Sequence, residues 1–200
     1  CIPTVWGTST TDVVQVRKEQ GWDRLFCKPR YGATGHGAFC LESSSGDEET
    51  SAVKSFDHYM IQPVMTEIQC NGELSLVFLG GTYSHAFQKK PAHGSLFVQP
   101  EFGGTERSYD PSAKLQDTAQ HVLETAARIL QLPTCDILYA RVDGILVDDD
   151  GDKNNDNFLL MELELIEPSL SLYLSQEAPR RMAAEIVKKL EETRNIAKQS

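Results

Sequence analysis

Tyr139-Ala-Arg-Val-Asp-Gly-Ile-Leu-Val147 and Leu159-Leu-Met-Glu-Leu-Glu-Leu-Ile-Glu-Pro-Ser-Leu170 decide the fold. Residues 148–157 between them are almost all Asp, Asn and Gly, the residues that make turns, so the two apolar runs read as a hairpin. Side chains two apart on a strand share a face. Glu162 and Glu164 therefore point one way, and Met161, Leu163 and Leu165 the other, into a core. Arg141 and Asp143 likewise share a face of the first strand. A hairpin symmetric about Asp152 and Lys153 puts Asp143 opposite Glu162, so one sheet face gathers three carboxylates and a guanidinium. Alternating Glu and Leu is also what a half-exposed strand with solvated glutamates looks like. Crowded carboxylates repel, however, and such hard oxygen ligands suit magnesium, which leaves coordination places for phosphate oxygens. The acidic turn itself is no EF-hand: counted from Asp148, Lys153 stands where glycine is needed and Leu159 where the bidentate glutamate is needed.

Working outward, the 200-residue chain is long enough for one domain or for two small lobes. Its 40% hydrophobic and 24% charged residues are ordinary for a soluble globular chain. A net charge of −10 argues against binding a nucleic-acid backbone by broad electrostatics, so a phosphate ligand needs local lysines or a metal. No apolar stretch approaches a membrane span and no signal peptide opens the chain. Cys1, Cys27, Cys40, Cys70 and Cys135 form no CxxC pair and have no zinc spacing, which suits reduced thiols in a cytoplasmic setting. The opening Cys-Ile-Pro-Thr-Val-Trp reads like the middle of a longer chain.

Upstream, residues 11–20 form a short helix capped by Thr11 or Asp12 and ended by Gly21. The strand Trp22 to Pro29 brings Lys28 to its end. Gly32, Gly35 and Gly37 then precede a second strand to Leu41. Glycines at this spacing let backbone amides approach an anion, and Lys28 adds a fixed charge. No GK[ST] closes the loop and no helix follows it, so it is neither a Walker loop nor a dinucleotide fingerprint, and a plain turn reads equally well. Residues 43–51 are a polar surface loop and 52–59 a brief helix. Tyr59 to Met65, broken by Pro63, suits a connector whose backbone reads a purine edge, or a buried strand.

Glu73–Leu79, Gly80-Gly81 and Thr82–Gln88 form the clearest hairpin, which emerges into Lys89-Lys90. Two lysines at a strand end ordinarily sit in solvent; facing carboxylates and a metal, they would hold a terminal phosphate. Residues 97–104 are a short strand running into a loop. Asp110-Pro111 opens a helix with Leu115, Ala119, Val122, Ala126, Ile129 and Leu130 on its apolar side. After Pro168, a last helix runs from Arg180 to about Lys198 with Met182, Ile186, Val187 and Leu190 on one stripe. His36, His58, His85 and His121 attract no role.

This order of elements resembles the ATP-grasp superfamily, of which bacterial glutathione synthetase and D-alanine–D-alanine ligase are familiar members. Within it the likeness is strongest to the cyclo-ligase of D-cycloserine biosynthesis. It rests most specifically on Gly72-Glu-Leu-Ser-Leu-Val-Phe78, on Gln99-Pro-Glu101 with Gly103-Gly104, and on Met161 to Leu170. The resemblance implies an α+β fold of two lobes that clasp a nucleotide between antiparallel sheets. It places a small lid subdomain at residues 1–62, a large metal and phosphate subdomain at 63–200, and a missing substrate lobe, with an earlier nucleotide-site lysine, before Cys1. It implies that Lys28 and the lid glycines Gly32, Gly35 and Gly37 meet ATP phosphates, and that Gln62, Pro63 and Val64 read adenine. Lys89 falls near the γ-phosphate, Arg141 at the acyl-phosphate or tetrahedral intermediate, and Asp143, Glu162 and Glu164 at Mg²⁺, or Mn²⁺ in its place. Glu164 stands where the family commonly has Asn, and Phe97 where relatives often have Arg.

The resemblance thus implies an ATP-dependent carboxylate–amine ligase, or a cyclo-ligase, acting through an acyl-phosphate on a small-molecule substrate such as an amino acid. A catalytically silent ATP-binding module, a ligase that adds an amino acid to a protein or peptide, and a generic acidic interaction domain are the alternatives. Neither nucleic acid nor a membrane is an expected partner, and a homo-oligomer is left open.

Overall fold

The computed structural model describes residues 1–32, 35–42, 55–92, 98, 103–147 and 157–198. The polar loop at 43–51, Phe97, Gln99-Pro100-Glu101 and the acidic turn from Asp148 to Asp156 lie outside the described residues. Residues 52–54 of the helix expected at 52–59 do so too; the rest of it, from Ser55 to Tyr59, is not helical and leads through a turn into a strand. The chain divides into two units, residues 1–66 and 67–200.

The first unit is a four-stranded antiparallel sheet with one helix. Its strands are β1 (Val5–Trp6), β2 (Leu25–Pro29), β3 (Phe39–Leu41) and β4 (Tyr59–Pro63), in spatial order β1-β4-β2-β3. The helix Val13–Gln20 starts where Asp12 accepts from the amides of Val14 and Gln15, and stops where Gly21 adopts φ 68°. Val13 and Val16 on its inner side pack with Leu25, Cys27, Leu41, Phe56 and Ile61. Of the Tyr59 to Met65 run, Tyr59–Pro63 is an interior strand, since Ile61 and Gln62 are buried and β4 lies between two partners.

The second unit holds a five-stranded antiparallel sheet, ordered β7-β6-β5-β8-β9. Here β5 (Glu73–Leu79) and β6 (Thr82–Lys90) are joined by Gly80 and Gly81, both at positive φ, as a tight primed turn requires. Strand β7 (Thr105–Tyr109) and a short helix, Glu67–Asn71, had no signal in the sequence pattern. Strands β8 (Tyr139–Leu146) and β9 (Phe158–Glu164) are the two expected strands on either side of the acidic turn, and they pair antiparallel. One sheet face is covered by the helix Ala113–Leu130, whose Leu115, Ala119, Leu123 and Ala127 pack on Leu74, Leu76, Phe78, Ala140 and Val142. That helix is capped by Ser112 Oγ on the Leu115 amide, two residues past the expected Asp110, and its expected apolar residues Ile129 and Leu130 are exposed. The buried side is rotated toward Leu123 because the sheet sets the angle of approach. On the other sheet face, Val77, Leu79 and Phe87 receive Leu170, Leu174 and Met182. Met182 lies in the second turn of the last helix, Ala178–Ala197, whose Ile186, Val187 and Leu190 are exposed rather than docked. No helix among the described residues is long and apolar enough to cross a membrane.

Leu123→Ala removes a side chain that is fully buried and costs about 3 kcal/mol, whereas Leu190→Ala stays within about 0.5 kcal/mol. Urea unfolding of the two variants measures the contrast.

Candidate functional site

Strands β8 and β9 pair with Arg141 opposite Glu164 and Asp143 opposite Glu162, as the alternation requires. Nearer the turn the register slips: Gly144 faces Leu160, and Met161 is the extra residue of a bulge. Leu160 therefore joins Leu163 and Leu165 against the core, in the place expected of Met161. Gly144 is needed there, since a Cβ would fall on the Phe158 ring and the Leu159 carbonyl. The bulge keeps both glutamates on one face while returning the tip to its own pairing.

Asp143 is 1% exposed, and both its oxygens accept hydrogen bonds. Ser75 of β5 donates to Oδ1 at 2.7 Å, Arg141 donates from Nε to both oxygens at 3.0 Å and from Nη2 to Oδ2 at 2.8 Å, and Lys89 Nζ lies 3.4 Å from Oδ2. Lys89, also buried, donates to Glu73 Oε1 at 2.7 Å and sits 5.6 Å over the Phe87 ring. Arg141 further pairs with Glu164 through Nη2 and with the Ser169 carbonyl through Nη1 at 2.7 Å. A guanidinium has five N–H groups; one N–H of Nη1 lies outside these hydrogen bonds among the described residues.

The electrostatics follow from this crowding. Burial alone would raise the Asp143 carboxyl, but Lys89, Arg141 and Ser75 overcome it and hold the group below the usual aspartate range. Burial works against the charge on Lys89 and on Arg141 too, and the facing carboxylates outweigh it, so both titrate above their ordinary values. Glu73 and Glu164 are pushed up, chiefly by burial and further by repulsion from Asp143, against the pull of Lys89 and Arg141.

Asp143, Glu162 and Glu164 each offer an oxygen, and those oxygens lie within 4.8 Å of one another. Glu162 is exposed and Glu164 half-buried, so the set opens to solvent on one side. Three hard oxygen donors fit a divalent cation of the magnesium or manganese kind that keeps open positions. The structure brings together Lys89, Arg141, Asp143, Glu162 and Glu164. Glu73, Ser75 and Ser169 are added members that the sequence reading passed over. Glu73 and Ser75 alternate with Leu74 and Leu76 on β5, the same signal that singled out Glu162 and Glu164.

In the first unit, Lys28 pairs across from Met60, and Gly35 and Gly37 have φ of 71° and 77°. Gly37 also lies against Pro29, where a Cβ would come within 3.1 Å of the proline ring. The expected adenine segment has commitments of its own: Gln62 Nε2 donates to Thr4 Oγ1 at 2.8 Å, and the Val64 amide donates to the Arg24 carbonyl at 3.0 Å. Val64's N–H is therefore not free for a base.

No protein-family model matches the sequence. Over 136 residues, 66% of the chain, it is 29% identical to the cycloserine biosynthesis protein DcsG of Streptomyces lavendulae. The crystal structure of D-cycloserine synthetase DcsG superposes with a TM-score of 0.77 at 23% identity, over 94% of this chain. D-alanine–D-alanine ligase from Bacillus anthracis, solved with ATP, gives 0.61 at 17% identity over 98% of this chain and 62% of that one. The ATP-grasp ligase PsnB, solved with a minimal precursor, gives 0.57 at 16% identity over 94% of this chain and 55% of that one. The chain spans 42% of the length of the Streptomyces protein and 65% of the solved DcsG chain.

Asp143→Asn leaves Lys89 and Arg141 without their shared anion and costs about 3 kcal/mol of stability at pH 7. A carboxylate whose folded pKa is depressed stabilises above its unfolded pKa and ceases to as pH falls through the folded one. The gap between wild type and Asp143→Asn in urea titrations therefore narrows below about pH 4.

Proposed function

We propose that this chain, which has the ATP-grasp fold, is the nucleotide-binding part of an ATP-dependent ligase that joins a carboxylate to an amine. The observation that carries the reading is the Asp143, Glu162 and Glu164 oxygen set, on one sheet face with Lys89 and Arg141. In this reading Asp143, Glu162 and Glu164 hold Mg²⁺, which when bound offsets the charge of ATP phosphates and polarises the one transferred. Lys89 stands beside the γ-phosphate, while Lys28 and the backbone at Gly32, Gly35 and Gly37 meet the other phosphates. Gln62, Pro63 and Val64 line the base; with the Val64 amide taken, the carbonyls of this segment do the reading.

The substrate carboxylate takes the γ-phosphoryl group of ATP, with ADP leaving, to give an acyl-phosphate; the amine then adds at the acyl carbon, and phosphate and a proton leave to form the amide. No protein nucleophile is needed, and the chain contributes position and charge. Arg141 spends most of its donors on orienting Asp143 and Glu164, and the remaining N–H of Nη1 is what it offers to the oxyanion at the acyl carbon. The similarity to DcsG and to D-alanine–D-alanine ligase favours an amino acid or a related small carboxylate as substrate, in a cytoplasmic setting.

One observation favours a silent ATP-binding module as the second reading: Arg141 already pairs with Glu164, where the family commonly has a neutral Asn. Phosphate release that depends on an added amino acid separates the two. Calorimetric titration with ATP is expected to give binding that requires Mg²⁺, weakened about tenfold in Glu162→Gln. ATP affinity indifferent both to Mg²⁺ and to Glu162→Gln would end the proposal.

A further inference from the structure

Residues 165–174, which follow the Glu162 and Glu164 pair, are tied down by side chains from three strands. Arg141 of β8 donates to the Ser169 carbonyl at 2.7 Å. His85 of β6 meets the next carbonyl, that of Leu170, through Nε2 at 2.8 Å. Glu106 of β7 accepts from Ser171 Oγ at 2.5 Å and from Tyr173 OH at 2.9 Å. Leu170 and Leu174 add apolar anchors on Val77, Leu79 and Phe87. Within this strap Glu167 and Ser171 hold φ of 47° and 42°, a left-handed conformation that non-glycine residues keep only where their surroundings impose it.

The contact with the strap requires a proton on Nε2 of His85. A carbonyl only accepts, so Nε2 carries a proton and donates to it; Nδ1 lies 3.0 Å from Ser84 Oγ, which donates to it when the ring is neutral. Burial also favours this neutral ring, pushing His85 below its ordinary value. The ring stacks on Phe87, with 6.4 Å between centroids.

We propose that His85, seconded by Glu106, is a positioning residue for the carboxylate set: it fixes the strap, and with it the Ser169 carbonyl that orients Arg141 between Asp143 and Glu164. The guanidinium is a rigid plane, so a carbonyl that holds Nη1 also sets where Nη2 meets the two carboxylates. Such outer partners commonly govern how well a site holds its ion. The inference rests on the metal reading of the site for its consequence, but not for its geometry.

The test compares wild type with His85→Ala and His85→Gln; glutamine keeps an N–H donor near the place of Nε2. Exchange of the Arg141 Nε–H is followed by ¹⁵N NMR, and Mn²⁺ affinity, without nucleotide, by electron paramagnetic resonance. His85→Ala is expected to keep a folded spectrum, to exchange Arg141 Nε–H about tenfold faster, and to bind Mn²⁺ about tenfold more weakly. His85→Gln is expected to return both close to wild type. Unchanged Arg141 exchange in folded His85→Ala overturns the proposal, as does a His85→Gln variant impaired as badly as His85→Ala. If His85→Ala does not fold, Glu106→Ala carries the same expectation at the other tie of the strap, with the same unchanged exchange against it. Wild type that binds no Mn²⁺ removes the metal reading, while Arg141 exchange, which needs no metal, still decides the positioning claim.

Discussion

An ionised carboxylate almost wholly removed from water is costly unless every lone pair finds a donor. Asp143 meets that condition through Ser75, Lys89 and Arg141, which arrive from β5, β6 and its own strand. The requirement dictates the rest of the second unit. Ser75 must face Asp143, which fixes the pairing of β5 with β8. Lys89 must reach across from β6, and it does so only with Glu73 as a second anion, because one buried ammonium between two carboxylates is better neutralised than one alone. A one-residue slip of any strand would turn these side chains into the apolar layer beneath the helix Ala113–Leu130.

The same sheet thus has two faces of different kinds. Beneath the helix it is uniformly apolar, from Leu74 to Val142. On the opposite side a charged row, Glu73, Lys89, Asp143, Arg141 and Glu164, gives way to a small apolar cluster at Val77, Leu79 and Phe87. That cluster seats the strap and the start of the last helix beside the charges, which explains why Arg141 can be half-wrapped by a backbone carbonyl and yet pair with Glu164. The bulge at Met161 reconciles two demands. It keeps Glu162 and Glu164 together on the charged face and turns Leu160 inward.

The first unit follows simpler rules. Its helix begins and ends at the residues whose side chain or lack of one provides a cap, Asp12 and Gly21. Its core is the inward half of each strand, with Cys27 buried among aliphatic and aromatic neighbours and its thiol pushed up to about 12 by that burial. Gln62, by contrast, is buried and polar, and it satisfies itself within the unit through Thr4.

Period-two alternation was enough to place Glu162, Glu164, Arg141 and Asp143 on one face, and turn chemistry was enough to locate the Gly80-Gly81 hairpin and the caps of the first helix. These are local matters, carried by neighbours one to four residues apart. Short and weakly patterned pieces escaped, such as Thr105–Tyr109, a charged edge strand whose identity comes from its partner β6. The last helix shows the limit from the other side: its apolar stripe is plain in the chain, yet Ile186, Val187 and Leu190 stay exposed while Met182, nearer its start, packs on the sheet. Glu73, Ser75 and Ser169 entered the site, and the bulge moved Met161 out of the core, for a reason no stretch of chain carries: which strand lies beside which, and in what register, is set by contacts between residues tens of positions apart.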